Sequence, residues 1–268
     1  MKILILGDVV GNSGRQSLKK KLKDIIKDKK INFTVINGEN AAIDGRGITK
    51  EIANEFFDLG VDVITSGNHI WDKNETIEFI SKEPRLLRPA NLADGSPGNG
   101  YGIFKVKNTN LKVAVINLMG NVFMRKTDDV FQTATKLQNK IKLKDKSDFI
   151  IVDFHGEITS EKMAIGHLFD GKATAVIGTH THVPTADTRV LSMGTAYQTD
   201  IGMCGDYDSV IGMDKNNSVL KFLKDKKATY HFPATGEGTL SGIIIEADKE
   251  TGLALNVERF LSGGALKN

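Results

Sequence analysis

Short apolar, β-branched runs alternate along the chain with segments whose apolar residues repeat at helical spacing, the pattern of an α/β protein. The first unit is a predicted strand, Lys2–Leu6, a glycine-containing turn, and a helix from about Ser13 to Lys30. In that helix Leu18, Leu22, Ile25 and Ile26 fall at i, i+4, i+7 and i+8, a single apolar stripe. Predicted strands at Phe33–Ile36 and Val61–Thr65 follow, with helices near Thr49–Leu59 and Asn74–Ile80. The stretch 84–102 carries three of the five prolines and reads as a long ordered loop or a seam between two halves. Beyond it, strands near Gly102–Val106 and Leu111–Asn117 flank the hairpin turn Lys107–Asn110. A helix near Asp128–Ile141 is followed by strands Phe149–Phe154 and Ala173–Ile177. Two more strand-like runs, Leu240–Glu246 and Leu253–Phe260, close the chain.

The pattern becomes informative about function where the apolar runs stop. Four strands run directly into Asp8, Glu39-Asn40, Asn68-His69 and His155, and a fifth delivers His180 and His182. Strand carboxyl ends line one edge of a parallel sheet, where ligands bind. Each residue alone has a plain structural explanation as a turn or cap residue; five coincidences are harder to dismiss. If the backbone at 180–182 is extended, His180 and His182 face one way, their Cα atoms ~7 Å apart. That separation lets two imidazoles reach two metal ions ~3.5–4 Å apart. Gly178 before the pair and Pro184 after it favour a loop at a strand end. A donor set of His, Asp, Glu and Asn without thiolate suits iron, manganese, zinc or cobalt. Glu39 can offer one oxygen to each of two ions, and His69, beside Asn68, is placed to act as general acid.

Composition narrows the field. With 268 residues the chain is long enough for a substantial core, and its formal charge of +3 is too small to argue for a nucleic-acid or anionic-membrane surface. Cys204 is the one cysteine, so an intramolecular disulfide is excluded, and a buried, unreactive thiol is expected. The opening MKILILGDVVGN resembles a secretory signal only superficially, because Asp8 interrupts a short apolar run. No run approaches ~18 uncharged apolar residues, and a cytoplasmic location is expected. The lysines between Lys19 and Lys30 read as a solvated helix face. Gly7, Gly11 and Gly14 match no nucleotide fingerprint and serve a tight turn behind Asp8. Arg15 reads as a surface residue or a phosphate contact. His167 and His231 read as structural. Glu157 and Glu161 either orient ligands near His155 or open a helix behind Thr159.

Taken together, Gly7-Asp8, Asn37-Gly38-Glu39-Asn40, Gly67-Asn68-His69, His155 and Gly178-Thr179-His180-Thr181-His182 resemble the calcineurin-like metallophosphoesterases. More narrowly the chain resembles the YmdB-like family of 2′,3′-cyclic-nucleotide 2′-phosphodiesterases, with further matching blocks at Thr65–Asp72, Asp153–His155 with Thr159–Lys162, and Asp208–Met213. Val10 stands where the wider superfamily has a metal-binding His, and Glu39 where it has a bridging Asp; Asn40 is the candidate replacement ligand. The resemblance implies one domain over residues 1–268, a four-layer α/β/β/α sandwich of two mixed sheets flanked by helices. It implies a first metal on Asp8, Glu39, Asn40 and His182, and a second on Glu39, Asn68, His155 and His180. His69 carries over as the leaving-group acid. The expected cofactors are two divalent or mixed-valence ions, iron first, with manganese or zinc as alternatives.

The expected reaction is hydrolysis of a 2′,3′-cyclic nucleotide by a metal-bridging hydroxide. The same centre would serve a nuclease or a phosphomonoesterase, and a regulatory or RNA-associated protein with a structural metal site is the non-catalytic rival. The expected partner is a cyclic nucleotide or another phosphodiester, with RNA among the candidates and no membrane; a homo-oligomer is left open. Substrate choice is expected to lie in the 84–102 loop and the 200–215 segment.

Overall fold

A computed structural model describes residues 1–266. Its strands are β1 (Lys2–Val9), β2 (Phe33–Asn37), β3 (Val63–Thr65), β4 (Tyr101–Lys105), β5 (Lys112–Met119), β6 (Phe149–His155), β7 (Ala175–Thr179), β8 (Arg189–Val190), β9 (Ala196–Gln198), β10 (Met203–Cys204), β11 (Leu240–Ala247) and β12 (Ala254–Ser262). The helices are α1 (Gly11–Asp28), α2 (Lys50–Asp58), α3 (Asn74–Phe79), α4 (Val130–Lys140), α5 (Thr159–Leu168) and α6 (Lys215–Phe222). One sheet has the order β12-β11-β1-β2-β3, with β10 pairing β1 beyond the end of β11; the other has β4-β5-β6-β7-β9-β8. Both are mixed: β1, β2 and β3 run parallel, as do β5, β6, β7 and β9, while β11, β12, β4 and β8 are antiparallel to their neighbours.

The side-chain alternation of each strand sorts the core into layers. Ile3 and Ile5 of β1, Val35 of β2, Val113 and Val115 of β5 and Ile151 of β6 meet between the sheets. The alternate residues, Leu4, Leu6 and Ile36, turn the other way and pack against Leu18 and Leu22 of α1 and Ile52 and Phe56 of α2. On the second sheet Ala114, Ile150 and Val152 pack against Ala134 and Leu137 of α4 and Ile165 of α5. The layers therefore run α/β/β/α, as expected, and the 84–102 stretch is an ordered crossover between the sheets. It bonds to the edge of β3 through Ile64 N–H on Arg85 O (2.8 Å), and to β5 through Ala90 N–H on Asn117 O (2.8 Å).

The elements read from the pattern are all present within a few residues of their expected ends. β8, β9, β10 and α6 are additional. The three strands are two or three residues long, too short for a period-2 signal. In α6 the polar Asn217 and Ser218 are buried while Val219 and Phe222 are exposed, the reverse of a core-facing stripe. No helix of the described residues is long and apolar enough to cross a membrane.

Candidate metal centre

Every strand expected to deliver a polar residue does so at its carboxyl end, and those ends converge from both sheets. β1 passes through a register shift between Leu6 and Asp8, so Asp8 lies inside the strand and is fully buried. Behind it the chain turns into α1 at Gly11, whose φ of +53° and contact with Pro233 leave no place for a side chain. β2 ends before Glu39 and Asn40, β3 before Asn68 and His69, β6 at His155, and β7 before His180.

Four of the predicted ligands meet directly. His155 Nε2 lies 3.0 Å from His180 Nδ1, 3.2 Å from Glu39 Oε1 and 3.2 Å from Asn68 Oδ1. The tautomers follow from the outer contacts. Thr179 Oγ1 donates to Asp153 Oδ1 (2.8 Å) and so accepts from His155 Nδ1 (2.9 Å), while His180 Nε2 faces Glu157 Oε2 at 3.1 Å. Both inner nitrogens then present lone pairs, toward each other and toward two oxygen acceptors. Four converging electron-pair donors with no hydrogen between them could hold a cation. Glu39, His155 and His180 alone bring ligand atoms within 4.8 Å of one another.

Beside this cluster, Asp8 Oδ1, Glu39 Oε2 and Asn40 Oδ1 are buried without any hydrogen-bond partner. These are three oxygens of the predicted first-metal set, and a buried, unpaired carboxylate oxygen is expensive unless a cation satisfies it. Burial pushes the Asp8 and Glu39 carboxyls up to about 7 and drives the His180 imidazole down to about 2, with His155 and His182 lowered for the same reason. Deprotonated carboxylates and neutral imidazoles are the forms that bind a metal, so a divalent charge would favour the carboxylates while the imidazoles stand ready. His182 donates Nδ1–H to Ile211 O (2.8 Å), leaving Nε2 as a donor atom on the cavity wall. The residues present fit a two-metal group.

The route by which His180 and His182 arrive differs from the extended geometry considered for them. Their φ values are +103° and +66°, so 180–182 is a left-handed turn rather than continuing β7, and the i, i+2 rule does not apply. Such backbone is costly outside glycine and persists only when clamped. The clamp is buried. Asp200 Oδ2 accepts from Thr181 N–H (3.1 Å), Thr181 Oγ1 (2.8 Å) and Lys162 Nζ (2.6 Å), and Asp8 Oδ2 accepts from His180 N–H (3.1 Å). Lys162 ends a matching block and Asp200 opens the 200–215 segment, but the sequence assigns neither a role, because the pair forms only where α5 packs behind β7.

His69 stands at the mouth. Its N–H donates to Glu39 Oε1 (3.2 Å), and its Nδ1 lies 2.7 Å from Asp72 Oδ2, so Nε2 is the free edge of the ring. Asp72 carries no assignment from the sequence, although its i+3 spacing from His69 is visible there. Asp153, also unassigned, accepts from Asn37 Nδ2 (3.0 Å), Thr65 Oγ1 (2.5 Å) and Thr179 Oγ1, tying the two sheets together under the site. Burial raises its carboxyl to about 6.

The cavity over these groups has a volume of about 370 Å³ and is walled by Glu39, Asn40, His69, His180 and His182 together with Arg46, Glu157, Ile211, Met213 and His231. His231, read from the sequence as structural, faces the cavity. Glu157, against His180, takes the orienting role of its two readings, while Glu161 accepts from the backbone N–H groups of Asn121 and Val122. Arg15 pairs with Glu55 of α2 at 3.0 Å, away from the cavity. The 200–215 segment contributes Ile211 and Met213 to the wall; the 84–102 loop contributes nothing.

Comparison with known proteins places the chain in a family. The profile of the YmdB-like protein family matches residues 4–260. The chain belongs to the YmdB-like family. It is 46% identical over 261 residues to 2′,3′-cyclic-nucleotide 2′-phosphodiesterase of Bacillus subtilis (strain 168), covering 97% of each chain. Among solved structures, a novel phosphatase from Mycoplasma pneumoniae superposes with a TM-score of 0.89 at 33% identity, covering 98% of this chain and 93% of that one. A hypothetical protein from Thermus thermophilus gives 0.88 at 34% identity, covering 98% and 99%. These relatives match end to end, so both sheets and every strand end that bears a candidate ligand fall within the shared fold.

Proposed function

We propose that residues 1–268 act as a single metal-dependent phosphodiesterase domain that hydrolyses 2′,3′-cyclic nucleotides, with iron as the first-choice metal in a reducing, cytoplasmic setting. The observation that carries the reading is the convergence of His155, His180, Glu39 and Asn68 donor atoms within 3.0–3.2 Å of His155 Nε2, beside the unpartnered oxygens of Asp8, Glu39 and Asn40. Asp8, Glu39, Asn40 and His182 would hold one ion and Glu39, Asn68, His155 and His180 the other. When bound, the pair supplies positive charge for the phosphoryl oxygens and lowers the pKa of water.

The chain's own residues supply the rest. Asp72 holds His69 Nδ1, which fixes the ring and leaves Nε2 free to pass a proton to the departing ribose oxygen. Glu39 Oε1, by accepting the His69 N–H, keeps that acid in register with the metal cluster. Arg46 and His231 face the same cavity and add donors for the non-reacting phosphoryl oxygens. The cavity volume suits a mononucleotide.

The test is hydrolysis of 2′,3′-cyclic AMP by protein loaded with iron or manganese, alongside a linear RNA and a phosphomonoester, with His69→Ala in parallel. Turnover of the cyclic substrate, and a fall of about 10²–10⁴ in kcat for a variant that still binds both metals, is expected. A preparation that holds two metals and turns over none of the three substrates would overturn the reading.

A further inference from the structure

The unusual surface of this protein is α6 and the loop that returns from it. α6 is turned inside out: Asn217 and Ser218 are buried, whereas Val219, Phe222 and Leu223 are 52%, 83% and 71% exposed. The return segment exposes Tyr230 at 90%. Asn217 pins helix and return together, donating Nδ2–H to Tyr230 O (2.7 Å) and accepting Thr229 N–H (2.7 Å). The apolar side chains are therefore held outward by a satisfied polar anchor, an arrangement that isolated collapse would not produce.

The charge on this element is one-sided. From Lys215 to His231 there are five lysines and one aspartate, Asp225. Lys215 is spent on Asp208, but among the described residues Lys221, Lys224, Lys226 and Lys227 make no ion pair. The patch also leads into the cavity. His231, next to Tyr230, lines the wall, and its imidazole is lowered by partial burial and then by the charges of Lys221 and Arg46. Pro233 and Met213, at the root of the same loop, pack against Gly45 beside Arg46.

Exposed aromatic rings among unpaired lysines, continuous with a phosphodiester cavity, match the requirements of a single nucleic-acid strand: bases stack on the rings and phosphates meet the ammonium groups. We infer that α6 and the 223–231 loop form a platform for single-stranded RNA, which presents a 3′-terminal 2′,3′-cyclic phosphate to the cavity. The platform itself is independent of catalysis; the presentation of the terminus rests on the phosphodiesterase reading above. Phe222 and Tyr230 stack bases upstream of the terminus, and Lys224, Lys226 and Lys227 follow the backbone. None of these five residues lines the cavity itself.

The experiment uses the full chain and a fluorescein-labelled ten-nucleotide RNA, prepared with a 3′-hydroxyl for binding by anisotropy and with a 2′,3′-cyclic phosphate for turnover. Two variants, Phe222→Ser/Tyr230→Ser and Lys224→Ala/Lys226→Ala/Lys227→Ala, are compared with the wild type; hydrolysis of 2′,3′-cyclic AMP within twofold of wild type verifies their fold. Each variant is expected to lose at least tenfold in RNA affinity and in kcat/KM on the RNA terminus. The lysine variant should also flatten the plot of log affinity against log salt by about 2, at roughly 0.7 per phosphate contact. RNA affinity unchanged in both variants would overturn the platform. So would a fall in molar mass by light scattering in Phe222→Ser/Tyr230→Ser with RNA affinity kept, because the patch would then be a contact between copies. Binding that depends on the patch in a protein that hydrolyses neither cyclic phosphate would sustain the platform and sink the catalytic reading. Hydrolysis of 2′,3′-cyclic AMP with no RNA binding would do the reverse.

Discussion

Replacing Gly67 by alanine should damage the centre without substituting a single candidate ligand. Gly67 links β3 to Asn68, and its backbone lies outside the left-handed region, so alanine meets no conformational barrier. The added Cβ would instead overlap Glu39 Oε2 and the His155 imidazole, both closer than any real Cβ contact. His155 is wholly buried and Glu39 nearly so, which leaves little room to move aside. Overpacking of this kind costs about 1–3 kcal/mol. With metal bound the two side chains would be pinned, so the strain would be felt as lost affinity, about 5- to 150-fold at 1.4 kcal/mol per decade. The metal-free protein can relax and should lose at most about 9 °C in Tm, at roughly 3 °C per kcal/mol for a chain of this size. Isothermal titration with Mn²⁺ and thermal unfolding of the metal-free form separate the two. Gly95→Ala is the control: its φ is +83° with nothing within 4 Å, so it should cost about 1–2 kcal/mol of stability and leave affinity alone. Wild-type metal affinity in Gly67→Ala would refute the close packing of Glu39 and His155 around this glycine.

Three further outcomes are expected. Asp72→Asn should lower kcat about tenfold, because the carboxylate that holds the His69 ring in place is gone; steady-state kinetics with metal content measured in parallel checks it. Lys162→Met should strand the Asp200 carboxylate, costing about 3–5 kcal/mol in chemical unfolding and weakening metal binding, since the turn carrying His180 and His182 loses its clamp. Native-like stability in that variant would show that the buried pair does not hold the turn. Cys204, fully buried and with its thiol pushed up to about 12, should resist a thiol-specific reagent at pH 8 in the native state and react at once in guanidinium.

Some of the site was written locally in the chain. Asp8, Glu39, Asn40, Asn68, His155, His180 and His182 each follow an apolar strand closely, and strand order in a parallel sheet carries their ends to one edge. The same locality made the turn glycine at Gly11 and the buried Cys204 readable. Asp72 is equally local, three residues from His69, but a carboxylate at that spacing becomes an orienting partner only once the chain between them turns, and no apolar pattern marks that turn.

What tertiary structure alone decided are the contacts between distant segments. Asp153 meets Asn37 and Thr65 only because two separate sheets stack face to face, and Lys162 reaches Asp200 only because α5 lies behind β7. Arg46 and His231 come to line one cavity through a loop whose short elements leave no periodic trace. The left-handed turn at His180 is likewise invisible in sequence, since non-glycine residues adopt it only when outside contacts hold them there. The chain's hydrophobic pattern determined its layers and which residues end each strand, because both depend on neighbours along the chain. The second ring of partners that clamps, orients and charges those residues depends on which layer meets which, and this only the packed fold decides.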